Sequence, residues 1–311
     1  MLVFCSGMLR SGSAFQFNLA ASLLEKTAVC IRHGRWERGR GFEKFTKQQI
    51  HSWANDKTTF HVIKSGIYGE SEEIIYAKKG LAKILFINRD LRDVAVAAKY
   101  KWGVNNKELI ELLDRAESTY NAMLKMQAFE KDWCLHQKYE EVFNNTFDAI
   151  EQISKFLGIN PSKDIIQEVI EECSIKNMLK VSKSKTLKFK EITLRFLGRI
   201  ANIIKRFLPP PYNKSWKLRK YYLGVLPKVD EKTVIAPRHI EPTKGVPGAW
   251  RSKLSNGEIK QITERYNEYL KTTEKVSKFY KELSPDIYFE IDGSFHIDEI
   301  TKNIVEIIKN S

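Results

Sequence analysis

An α/β fold, with a central, mostly parallel sheet covered by helices on both faces, is what this 311-residue sequence predicts. Two observations carry the prediction. Short apolar or β-branched runs alternate with stretches of helical periodicity, the pattern of strands joined by helical crossovers. The first run, Leu2-Val3-Phe4-Cys5, then passes through a loop with Gly7 and Gly12 into a helical pattern at Phe15, Leu19, Ser22 and Leu23. Strand, glycine turn and helix in that order aim backbone N–H groups and the positive helix end at one spot, which suits a phosphate. Arg10 adds a charge there. A plain strand-to-helix turn is the alternative reading of the same residues.

The other elements follow in order. Ala28-Val29-Cys30-Ile31 reads as a second buried strand, Phe60 to Lys64 as a third, Ala82 to Ile87 as a fourth and Trp133 to Tyr139 as a fifth. The segment Arg35 to Asn55 is too polar for core and too aromatic for a linker, and fits a loop-rich wall of a cleft. Arg89 stands at a strand's carboxyl end, where parallel sheets form their ligand crevice, and Asp90 or Asp93 favours the start of the next helix. Pairing of Arg89 with a nearby carboxylate is the alternative. Glu108 to Lys131 has the period of a long core-facing helix, Glu140 to Leu157 that of another ended by Gly158, and Asn160-Pro161-Ser162 opens a third.

Beyond these the composition shifts. Residues 180–235 are rich in Lys and Arg and contain an amphipathic pattern at Ile192, Phe196, Ile200, Ile203, Ile204 and Phe207, ended by Pro209-Pro210-Pro211. This basic helical insertion reads as a lid, as a membrane-surface helix over 185–208, or as a groove for an acidic acceptor. The stretch Arg238 to Arg251 gathers glycines, prolines and cations around Trp250 and suits either an anion clamp or a surface turn. Amphipathic helices over 258–283, a strand and turn over 286–294 and a helix over 298–309 complete what is expected to be one domain, 1–311.

The formal net charge of +14 and pI near 9.4 predict attraction to polyanions, whether nucleotide, nucleic acid, acidic glycan or membrane surface, or else simply a self-repelling surface. Cys5, Cys30, Cys134 and Cys173 are scattered, with no C-x-x-C pair and no zinc spacing, so free thiols in a reducing compartment are expected. A strand at Leu2 leaves no room for a signal segment, and no apolar run approaches a membrane span. The cytoplasm is the expected location.

The spacing from Gly7 to Gly12 invites comparison with the ATP-binding P-loop, but Ser13 and Ala14 stand where that motif has Lys and Ser/Thr. Arg10-Ser11-Gly12-Ser13 instead resembles the 5′-phosphosulfate loop of the sulfotransferases, Lys/Arg-Ser-Gly-Thr/Ser-Thr. Four further stretches resemble that family in its own order. Lys64-Ser65-Gly66 stands where members carry Lys-Thr-His, and Arg89 through Asp93-Val94-Ala95-Val96-Ala97 is similar to the 3′-phosphate motif Arg-x-x-x-Asp-Val-Ala-Val-Ser. Lys138-Tyr139-Glu140-Glu141 resembles Arg-Tyr-Glu-Asp, and Thr243-Lys244-Gly245-Val246-Pro247-Gly248-Ala249-Trp250-Arg251 resembles Arg-Lys-Gly-x-x-Gly-Asp-Trp-Lys.

The resemblance implies a P-loop-like fold and an enzyme that moves a sulfuryl group from 3′-phosphoadenosine 5′-phosphosulfate (PAPS) to a hydroxyl or amine of a small molecule, lipid or glycan, leaving 3′-phosphoadenosine 5′-phosphate (PAP). It implies no metal, and no nucleic acid is expected as a partner. Arg10 and Lys64 would serve the 5′ side with Ser11, Gly12, Ser13 and Ala14; Arg89, Ala97, Lys244 and Gly245 would lie at the 3′-phosphate. Tyr139 would lie near the adenine, or else be a buried structural tyrosine. Three departures matter. Arg10 stays charged and cannot give a proton to the leaving oxygen. Ala97 forfeits a hydroxyl. Gly66 replaces the family's histidine base, so a base would come from elsewhere. His61, at the start of its strand, should lie on the order of 10 Å from the Lys64 end. His33 and Glu37, just past the second strand, are better placed, and glycan-modifying members use a glutamate in about that region. A catalytically silent nucleotide-binding module and a relative of the P-loop nucleotide kinases are the competing readings.

Overall fold

In a computed structural model of the chain, the structure is described for residues 1–36, 45–66, 71–104, 106–182, 232–235, 240 and 243–264. Five strands, β1 (Leu2–Gly7), β2 (Cys30–Arg35), β3 (Phe60–Lys64), β4 (Ala82–Asn88) and β5 (Cys134–Lys138), form one parallel sheet in the order β2-β3-β1-β4-β5. Helix α1 (Ser13–Thr27) follows β1, α2 (Lys47–Asn55) follows β2, and α3 (Glu72–Lys78) follows β3. Next come α4 (Leu91–Trp102) and α5 (Asn106–Lys125) between β4 and β5, then α6 (Tyr139–Asn144), α7 (Thr146–Leu157), α8 (Lys163–Glu172), α9 (Ile175–Ser182) and the short α10 (Trp250–Lys253).

The strand pleat divides the apolar residues into two cores. Leu2, Phe4, Ile63, Ile84 and Phe86 face a layer that includes Ile50 of α2, Ile74 of α3, Val94 of α4 and Leu113 of α5. Val3, Cys5, Val62, Leu85 and Ile87 face Phe17 and Leu19 of α1, Ile153 of α7 and Ile166 of α8. All strands run the same way, so Gly7, Arg35, Lys64, Asn88 and Lys138 end them on a single rim.

Three expected elements differ in detail. The second strand lies at Cys30–Arg35 and is not buried: among the described residues it pairs only with β3, leaving Val29 66% and Ile31 47% exposed at the sheet edge. Its apolar run therefore reported an edge, and a register shift between Arg32 and Gly34 carries Arg35 to the rim. The long helix after α4 ends at Lys125, and Gln127, with φ 48°, turns the chain into a 3-10 turn over Ala128–Glu130. The helix expected from Glu140 to Leu157 is two, broken at Asn145, whose side chain accepts from the Asp148 N–H and so starts α7. Ser162 caps α8 in the same way, and Gly158 ends α7 with φ 73°. Residues 183–231 of the basic insertion and everything after 264 lie outside the described residues, as do the membrane contact expected over 185–208 and the late strand and helix. Among the described residues no helix is long and apolar enough to cross a membrane. Cys5, Cys30, Cys134 and Cys173 are free, and burial pushes each thiol up to about 12.

Candidate active site

A cavity of about 500 Å³ opens on the carboxyl rim of the sheet. Its floor is the turn after β1. Met8 N–H donates to Ile87 O (3.1 Å), tying the turn to β4, and Ser11 closes it by donating to Met8 O from both N–H (3.2 Å) and Oγ (2.8 Å). Arg10 (φ 64°) and Gly12 (φ 87°) both take left-handed backbone. At Gly12 only glycine fits, because a Cβ would stand 2.3 Å from the Tyr139 ring. Gly12 is also the N-cap of α1 and supplies no side-chain cap, so the first-turn amides at Ser13 and Ala14, both on the cavity wall, have no partner from their own helix. The turn of tight glycines and uncapped helix is thus an anion cradle in its backbone as well as in its sequence.

Four predicted cations converge on this cradle: Arg10, Lys64, Arg89 and Lys244 all line the cavity. Burial, and secondly the charge of Arg89, pushes the Arg10 guanidinium down to about 10, so it stays protonated at neutral pH. Lys64, at the end of β3, donates from Nζ to Ser65 O at 2.8 Å. Burial, then the Arg35 charge, pushes its ammonium down to about 7. Arg89 is 7% exposed, lies 4.2 Å over the Tyr139 ring and donates to Gly245 O at 3.3 Å, with Asp93 Oδ2 4.0 Å away. Its buried Nε has no hydrogen-bond partner.

Tyr139 joins these parts. It is 6% exposed, packs against Gly12, lies beneath Arg89 and donates from its hydroxyl to Gly245 O at 2.9 Å. Phe15 meets its ring edge-on at a centroid separation of 6.5 Å. The tyrosine therefore braces the turn, the arginine and the Gly245 segment, besides lining the cavity itself. Asp93 holds the same segment from below: its carboxylate accepts from Gly248 N–H (2.7 Å) and Trp250 N–H (3.1 Å). Trp250 in turn lies under the guanidiniums of Arg92 (3.9 Å) and Arg251 (4.5 Å). Lys99 pairs with Glu258 farther along. This docking onto α4 brings Lys244 and Gly245 to a cavity whose cradle, Arg10 to Phe15, stands more than two hundred positions earlier.

Not every predicted residue is there. His33 is absent from the cavity wall: its ring stacks on Trp53 at 3.7 Å, and its Nε2 meets His61 Nδ1 at 2.9 Å, while His61 Nε2 meets Asp56 Oδ2 at 3.0 Å. The histidine thus belongs to a ring stack between α2 and the sheet, which corrects the expectation that position alone would bring it to the crevice. Ala97 is half-buried on α4 and does not line the cavity. Ser11 is buried, and its hydroxyl closes the turn from inside. Glu37 lies outside the described residues. Conversely Lys101, Trp102, Arg115 and Thr119 line the cavity without any motif to announce them. Their signal was only an exposed Trp and cations within helical stretches. The apolar wall includes Phe143, Ile175, Met178, Ile235 and Ile240. No metal-binding cluster occurs among the described residues.

Residues 74–199 match the family model of the sulfotransferase domain, a span that includes the Arg89 and Tyr139 stretches. No curated protein sequence matches the chain. Among solved structures the fold is similar to that of mouse sulfotransferase SULT7A1 complexed with PAP, with a TM-score of 0.54, 13% identity, and coverage of 91% of this chain and 87% of that one. It is similar also to retinol dehydratase with androsterone and the inactive cofactor PAP (TM-score 0.51, 15% identity, 88% and 81% covered). A structure of retinol dehydratase with retinol and PAP gives a TM-score of 0.51 and 16% identity, with 88% and 82% covered. The five-stranded parallel sheet with the cradle at its rim thus has the fold of these PAP complexes, and residues 74–199 are similar to the sulfotransferase domain.

Proposed function

We propose that the chain transfers a sulfuryl group from PAPS to a hydroxyl or amine of a small-molecule, lipid or glycan acceptor. The observation that carries this reading is the meeting of two guanidiniums, half-buried Arg10 and buried Arg89, at the uncapped start of α1. Two cations brought together beside open helix amides favour an anion at that spot. The fit is supported by the partnerless Nε of Arg89 and the open amides of Ser13 and Ala14. The neighbours of similar fold are PAP complexes.

Bound PAPS would supply an activated sulfuryl group: the acceptor oxygen or nitrogen would bond to sulfur as the sulfur–oxygen bond to the phosphate breaks, with the acceptor proton passing to the base. Arg10 and Lys64 hold the 5′ side and stabilise charge on the leaving phosphate oxygen. Arg89, Lys244 and the Gly245 backbone hold the 3′-phosphate. Phe15 and Tyr139 border the apolar wall that suits the adenine. Chain 1–311 is read as one domain, with 180–235 a basic lid, on composition alone. Glu37 remains the proposed base.

A second reading, a silent nucleotide-binding module, is favoured by one fact: no His, Asp or Glu is among the described residues of the cavity wall. Labelled PAPS offered with an acceptor panel separates the two. Label appearing in an acceptor, and lost in Arg10→Ala, supports transfer; PAP binding without transfer to any member supports the silent module. The kinase reading lacks a lysine after Gly12.

A further inference from the structure

The donor's three anionic groups account for four cations of the cavity wall, and three more remain. Arg35 ends β2, Lys101 lies in the last turn of α4, and Arg115 lies on α5; all three line the cavity. No acidic side chain is among the described lining residues. Two of the three stand near the reactive end of the cavity. Arg35 is close enough for its charge to act on Lys64. Arg10 lies 5.8 Å and Lys101 6.0 Å from the ring centre of Trp102. That indole is 45% exposed and also lines the cavity. A concave wall of one sign concentrates anions, and the exposed part of the indole beside it offers contact to a flat apolar surface.

Building on the donor reading above, we propose that Arg35, Lys101 and Arg115 bind an acidic group of the acceptor. The acceptor is then a hydroxyl compound carrying a carboxylate or sulfate on a ring that lies against Trp102. Guanidinium and ammonium groups would hold that acid through charge-assisted hydrogen bonds, leaving the hydroxyl to face Lys64 and Arg10. The chemistry is that of an acidic sugar or an aryl acid.

The test uses the full chain, first saturated with PAP and then titrated calorimetrically with three matched probes: para-nitrophenyl glucoside, its glucuronide and a sulfated glucoside. At least one acidic probe should bind about tenfold more tightly than the neutral one, the scale of one charged hydrogen bond, and the gap should narrow with added salt. Whichever acidic probe is favoured identifies the acid. The double variant Lys101→Ala/Arg115→Ala should close the gap while PAP affinity stays unchanged. Equal binding of the three probes, preference for the neutral one, or no binding of any overturns the proposal alone. So does a fall in PAP affinity in the double variant, which would assign these cations to the donor. Failure of the wild-type chain to bind PAP overturns the donor reading and this inference with it.

Discussion

Arg89 illustrates how one residue can be both structural and poised. Its guanidinium touches the Tyr139 ring, Gly245 O and, at 4.0 Å, Asp93, yet its buried Nε keeps an unused donor. Arg89→Ala should weaken PAP binding by about 1.5 to 3 kcal/mol, the worth of a charged hydrogen bond; unchanged affinity in calorimetry would remove Arg89 from the site. Lys64 makes a pH prediction whose sign follows from its environment. The free protein holds it charged below about 7 and neutral above, and an anion favours the charged form. PAP binding should therefore take up a proton as pH rises above that value and should weaken there. Titrations in buffers of different ionisation enthalpy should detect the uptake, and Lys64→Gln should abolish it. Gly12→Ala should cost at least about 1 kcal/mol of stability, because its φ of 87° and the Tyr139 ring 2.3 Å from the added Cβ both oppose it; an unchanged urea midpoint would contradict the packing described. Arg10, Lys64, Arg89 and Lys244 were legible in the sequence because each sits beside a strand end or in a glycine turn. His33 also sits at a strand end, yet partners across the sheet, His61 and Trp53, decide where its ring goes, and no local pattern encodes them.

At the scale of elements, the decisive contact is between α4 and the 243–254 segment. Asp93 accepts two backbone N–H groups of that segment while 2% exposed. Asp93→Ala leaves both donors orphaned and should lower stability by about 1 to 3 kcal/mol for each unsatisfied group. It should also weaken PAP binding, by loosening Lys244 and Gly245. Thermal unfolding and calorimetry on the same variant check both effects, and normal PAP affinity in a destabilised variant would show that the tether does not position the site. Asp90 or Asp93 was expected to favour the start of α4; Asp90 caps that helix and Asp93 lies in its first turn. The longer-range role of Asp93 needs a partner about 155 residues away, which periodicity cannot supply. Strands with two neighbours, β1, β3 and β4, matched their apolar runs closely, since burial on both faces leaves an unbroken apolar signal. The edge strand β2 did not, because its outer residues face solvent whatever their hydropathy.

Across the whole molecule, the parallel sheet gathers five strand ends on one rim, where seven cations line one cavity: Arg10, Arg35, Lys64, Arg89, Lys101, Arg115 and Lys244. The order β2-β3-β1-β4-β5 puts the phosphate-cradle strand at the centre, between the strands that deliver Lys64 and Arg89. This arrangement was readable as a fold class from alternating strands and helices and as a site from five short stretches. The share of α4 and α5 in the cavity wall was not, since it arises from how two helices pack over the rim. The central claim is that this rim binds a 3′-phosphorylated, non-ATP nucleotide through fixed cations and without a metal. Calorimetric titration with PAP, set against ATP with Mg²⁺, tests it most directly. PAP should bind in metal-free buffer, more tightly than ATP with Mg²⁺; failure of PAP to bind, or tighter binding of ATP with Mg²⁺, would contradict the account.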